Sequence, residues 1–120
     1  MEDNRGIMTI QELMNESFDT AKEKGWIGDG KTVGDHIALM HSELSEALEV
    51  YRDGRPVKKI FYEDPQWGYS KPEGLPIELA DVVIRIAQFC KEYDIDLERA
   101  LGEKLEFNKT RPYRHGGKVI

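Results

Sequence analysis

The sequence predicts an all-α fold, a bundle of four helices, and three observations carry that prediction. Apolar residues recur three and four apart in four separate segments. Glycine and proline signals stand at the breaks between those segments. No repeat or low-complexity tract interrupts the series, and 120 residues with 39% hydrophobic content suit a single domain over positions 1–120 with a modest core.

Helix one is predicted from Ile10, Leu13, Met14, Phe18 and Ala21, which share one face, and it stops near Gly25. Helix two follows from Ile37, Met40, Leu44, Ala47, Leu48 and Tyr51, and ends at the Asp53-Gly54 turn signal. Helix three should run from about Ile77, just after Pro76, to about Tyr93. Its run "LADVVIRIAQFC" is apolar around most of the circumference, so it must be buried on several sides, and Cys90 falls among its core residues. A chain this short cannot cover such a helix alone, so association is expected, the partner being a second copy in a homodimer or homotetramer. Helix four has Asp96 as N-cap and Leu97, Leu101 and Leu105 on one side, and should fade near Arg111, before Pro112. Between helices two and three, residues 54–74 hold Pro56, Pro65 and Pro72 with several aromatics, a long irregular loop in which "VKKIFY" is a candidate strand of a small hairpin.

The segment "HSELSEALE" at 41–49 raises a question of geometry. With helix two wound at about 100° per residue, Val50 lies about 20° from Glu43 and Ala47 about 40° to the other side, so Glu43 sits inside the apolar stripe. Glu46 lies about 60° away, on the edge of that stripe. Helix three repeats the arrangement with Glu78 and Asp81, Glu78 lying about 20° from Phe89 and 40° from Val82. A solvated face is the ordinary explanation of one such pair in a chain with 33% charged residues. Two pairs on neighbouring helices are different. Carboxylates about 6 Å apart repel by about 3 kcal/mol at an effective dielectric of about 20, and several such terms rival the stability of a whole domain. A divalent cation reverses the sign. With oxygen ligands and no histidine or thiol at matching spacing, Mg²⁺, or Mn²⁺, suits the site better than zinc.

Helix four adds Lys104, Asn108 and Arg111 at spacings of four and three, a polar and cationic continuation of its Leu97 and Leu101 face. The tail "NKTRPYRHGGKVI" brings Arg114, His115 and Lys118 around two glycines, enough to contact phosphate oxygens, or else simply a basic terminus. His36 and His41 flank the site helix and are read as structural or surface residues. The formal charge of −6 disfavours a nucleic-acid polymer as partner, and no apolar run reaches membrane-spanning length. One cysteine and the absence of a secretory leader point to the cytoplasm.

"ELSE" at 43–46, "ELAD" at 78–81 and the trailing "EKLEFNKTRPYRHGGK" together resemble the MazG-like all-α nucleoside triphosphate pyrophosphohydrolases, over most of the chain from helix two onward. The resemblance implies a helical bundle in dimers or tetramers that splits a (deoxy)nucleoside triphosphate into monophosphate and pyrophosphate, in the manner of nucleotide-pool house-cleaning. It implies Glu43, Glu46, Glu78 and Asp81 as Mg²⁺ ligands, and Lys104, Asn108 and Arg111 as phosphate-binding groups, to which the charge of the tail adds Arg114 as a candidate. Glu46 is the candidate to orient the attacking water. The gap between the acidic motifs is longer than in compact relatives. Its Trp67 and Tyr69 are candidate base contacts, the alternative for Trp67 being that it pins the loop to the bundle. A di-iron bundle would want Glu-x-x-His pairs, which do not occur. A phosphoribosyl-ATP pyrophosphohydrolase-like enzyme and a non-catalytic helical interaction module with a structural ion are the remaining alternatives.

Overall fold

A helix forms where its first N–H groups find acceptors, and three of the four helices open on a side chain that supplies one. The Thr9 hydroxyl accepts from the backbone N–H of Glu12 at 3.0 Å, and the Asp96 carboxylate from that of Arg99 at 3.0 Å. Thr32 and Asp35 form a reciprocal capping box, each accepting from the other's backbone N–H. The computed structural model describes residues 6–65, 68–114 and 117–119. Among them the order is α1 (Ile10–Glu23), α2 (Val33–Arg52), β1 (Phe61–Tyr62), β2 (Pro72–Glu73), α3 (Leu75–Glu92) and α4 (Leu97–Lys109).

The four expected helices are present, with shifted ends. Helix two starts four residues before Ile37 because Thr32 caps it, and helix four stops two residues short of Arg111. α3 has no side-chain cap; Pro76 sits in its first turn and buried Gly74 precedes it at φ 122°. A side chain on Gly74 would fall on the Lys59 carbonyl oxygen, so this glycine lets the loop pass against the start of α3. Of "VKKIFY", only Phe61 and Tyr62 pair, antiparallel to Glu73 and Pro72.

Three helices end in the same hydrogen-bonded reversal. In α1 and α2 the left-handed residue is Gly25 or Gly54; in α3 it is Asp94, at φ 55°. In α1 the reversal runs from Gly25 N–H to Lys22 O and from Trp26 N–H to Ala21 O, which turns Trp26 back toward the bundle.

α3 is the central helix: α1 and α2 both pack along it, whereas the main partner of α4 is α1. Met14, Ala87, Phe89 and Cys90 form the core, with Met40 and Leu97 packed against it. Cys90 is buried, as expected of a core residue.

The buried seam of α2 differs from the expected face. His36 and Ala47 are buried and Leu39, Met40, Glu43 and Val50 half-buried, while Ile37, Leu44, Leu48 and Tyr51 are exposed. Two apolar strips run along α2, and α3 covers only the one that contains Glu43. α3 is likewise covered on part of its circumference, with Leu79, Val83 and Ile84 left at the surface. The chain exposes 9832 Å², whereas a compact monomer of its mass exposes about 6,600 Å². Its radius of gyration is 17.1 Å, against about 14 Å for a compact chain of this length. None of its helices is long and apolar enough to cross a membrane among the described residues.

Candidate metal centre

Because the Glu43 seam is the covered one, α2 and α3 bring their carboxylates together. Glu43, Glu46 and Glu78 each present an oxygen within 4.8 Å of the others. Glu78 is the most enclosed, with 9% of its surface exposed, and its Oε2 is buried with no hydrogen-bond partner among the described residues. Burial first, and then the facing Glu46 carboxylate, push its pKa up to about 7. Asp81 lies beside Glu43 rather than within the triad. Its pKa is also raised, by burial and then by Glu43, with Arg85 pulling in the opposite direction. A buried carboxylate that has an unpartnered oxygen and is crowded by two other carboxylates is a costly arrangement for a bare protein and a suitable one for a hard divalent cation. All the donors are oxygens, which agrees with Mg²⁺ or Mn²⁺.

Two clefts flank the triad. On the Glu43 side a cavity of about 420 Å³ is lined by Trp26, Lys31, His36, Asp81 and Arg85. Arg85 donates from Nε to Glu43 Oε1 at 2.8 Å, the one hydrogen bond from a basic side chain to these four acids among the described residues. Lys31 is paired with Asp29, whose pKa it holds down. His36 is packed rather than superficial: 8% exposed, 3.6 Å from Glu92 and against the Phe89 and Tyr93 rings, at centroid distances of 5.2 and 5.9 Å. On the other side a cavity of about 430 Å³ is bounded by Ser42, Ser45, Glu46, Glu78 and Lys71. Lys71 pairs with Glu73 at 2.8 Å, and its pKa is raised by Glu73 chiefly and by Glu78 among others.

The remaining sequence candidates lie elsewhere. Lys104, Asn108 and Arg111 are exposed on or just beyond α4, which packs on α1, so one chain does not bring them to the triad. The Lys104 ammonium sits 4.9 Å from the Phe107 ring centre, and the Arg114 guanidinium 5.6 Å from that of Tyr113. Tyr69 is 80% exposed, while Trp67 and His115 lie outside the described residues. The long loop does reach the site, but through Lys71 and Glu73 at its end.

Sequence reasoning missed Trp26, Lys31, Lys71 and Arg85. For Arg85 a signal existed, since it follows Asp81 by four residues and so shares its helical face. The other three are placed by loops, which carry no periodicity. Searches against protein-family models, curated proteins and solved structures found no match.

Proposed function

We propose that the protein is a Mg²⁺-dependent nucleoside triphosphate pyrophosphohydrolase that releases the nucleoside monophosphate and pyrophosphate. The observation that carries this reading is that buried Glu78, whose Oε2 has no hydrogen-bond partner among the described residues, is gathered with Glu43 and Glu46 into one triad of carboxylates. Those three residues and Asp81 would hold the ion. When bound, Mg²⁺ supplies charge neutralisation of the phosphates and a more acidic water.

The chain's own groups do the rest. Glu46, the most exposed of the triad, would orient the attacking water. Arg85 and Lys31 on one side and Lys71 on the other flank the triad with positive charge, as a polyanion requires. Trp26, 53% exposed in the cleft on the Glu43 side, presents an aromatic ring for a nucleobase beside the acids. The motif resemblance supports the same chemistry.

The exposed apolar strips of α2 and α3, and the accessible area some 3,000 Å² beyond that of a compact monomer of this mass, support self-association as a dimer or larger assembly. The displaced basic face of α4 favours a second reading: a non-catalytic helical module with a structural ion.

One assay separates the two. The protein is incubated with Mg²⁺ and a panel of canonical and modified (deoxy)nucleoside triphosphates, and the products are resolved. Monophosphate plus pyrophosphate is expected. No turnover, with Mg²⁺ still raising the melting temperature, would establish the structural reading; diphosphate plus orthophosphate would reject the reaction type.

A further inference from the structure

Four carboxylates gather at the α2–α3 seam, and one guanidinium stands among them. Arg85 lies one turn beyond Asp81 on α3 and reaches across to α2, where its Nε meets Glu43 Oε1 at 2.8 Å. The Glu43 side chain in that pair is 13% exposed and that of Arg85 is 38% exposed, so the acid is enclosed and the base sits at the mouth. The same guanidinium lines the 420 Å³ cleft with Lys31 and Trp26. It therefore borders both the acids and the space beside them. At the other end of the cluster Glu78 keeps a buried oxygen with no hydrogen-bond partner among the described residues.

We propose that Arg85 is a polyphosphate-binding residue that competes with a divalent ion for Glu43: its guanidinium, paired with Glu43 Oε1, would turn to a polyphosphate in the cleft when a metal engages that carboxylate. This rests on the metal reading above and adds to it a competitor for the metal and a receiver for the anion.

Two physical consequences follow. A guanidinium held on one oxygen of a ligand carboxylate occupies that oxygen and places a positive charge beside any incoming cation, so Arg85 weakens metal binding in the absence of substrate. A freed guanidinium beside an anion forms charge-assisted, bidentate contacts with phosphate, so Arg85 strengthens polyphosphate binding when metal is present. The two effects have opposite signs. A purely structural pair would behave differently, because losing it would loosen Glu43 and weaken metal and anion binding together.

The test uses the full chain and two substitutions, Arg85→Met, which keeps length without charge, and Arg85→Lys, which keeps charge without the planar fork. Mn²⁺ affinity is measured by calorimetry without nucleotide, and inorganic tripolyphosphate affinity in saturating Mn²⁺. Circular dichroism checks the helices. For Arg85→Met, Mn²⁺ should bind about threefold to tenfold tighter and tripolyphosphate about tenfold to a hundredfold weaker. Arg85→Lys should fall between wild type and Met in both. If the protein is active, KM for the triphosphate should rise by a similar factor, with kcat changed less. Weaker Mn²⁺ binding in Arg85→Met, or Mn²⁺ affinity equal to that of wild type, overturns the proposal while leaving the metal centre standing. Wild-type protein that binds no Mn²⁺ at all overturns both.

Discussion

Glutamine at position 78 should make the metal-free protein more stable and deprive it of metal. In the wild type, the Glu78 carboxyl is shifted from an ordinary value of 4.5 to about 7, by burial first and by Glu46 second. A raised folded-state pKa means that the folded protein holds this proton more tightly than the unfolded chain. The associated stability is therefore fully present below pH 4.5 and is lost as pH rises through 7. A difference of about 2.5 units corresponds to at most about 3 kcal/mol, or about 10 °C in melting temperature for a domain of this size. The Asp81 shift, also upward, acts in the same direction. In EDTA, at fixed ionic strength and protein concentration, the wild type should lose melting temperature between pH 5 and pH 8. Mg²⁺ at 100 times its dissociation constant should return about 2.7 kcal/mol at pH 8 and much less at pH 5. Glu78→Gln should show a flatter pH profile, a higher melting temperature than wild type at pH 8 in EDTA, and little response to Mg²⁺. Coincident wild-type and Glu78→Gln profiles from pH 5 to pH 8, with and without Mg²⁺, would refute the reasoning.

Glu43→Gln should abolish triphosphate turnover with the helical circular dichroism nearly intact, and EDTA should do the same to the wild type; full activity in either case would contradict a metal-dependent reaction. Sedimentation equilibrium at micromolar concentration should give at least a dimer, and Leu44→Glu with Leu48→Glu should shift it toward the 13.8 kDa monomer, because both residues lie in the exposed strip of α2. A wild-type monomer would rule this association out. Asp94→Gly should stabilise the chain by about 0.5 to 1 kcal/mol, since a non-glycine residue holds the left-handed position that ends α3. Unchanged or lowered stability would show that the aspartate carries no such strain. Trp26→Ala should raise KM by about tenfold, as expected of a lost base-stacking contact, while Tyr69→Ala leaves it unaltered; the opposite pattern would return base recognition to the loop.

Helix identity was legible in the sequence because the period that makes an amphipathic helix is local. Ile10 to Ala21 mark α1, Asp96 caps α4, and Gly25 and Gly54 end their helices, all within a few residues of chain. The placement of Glu43 and Glu78 on the covered sides of their helices was legible for the same reason, because spacings of three and four fix which residues share a face.

Periodicity says nothing, however, about which of two apolar strips a neighbour covers. On α2 both strips are apolar enough to bury, and packing against α3 decides for the one holding His36, Glu43 and Ala47, leaving Leu44, Leu48 and Tyr51 outside. That decision is what joins Glu43 and Glu46 to Glu78, residues more than 30 positions away. The same holds for the cations. Arg85 pairs with a residue 42 positions away, Lys71 arrives on a loop, and α4 turns toward α1, so the face carrying Lys104 and Asn108 lies away from the acids. Local spacing determined which carboxylates lie on which helix face. Tertiary packing alone decided which of them meet and which cation stands among them, because an ion pair or a buried charge depends on distances between helices that no local period encodes.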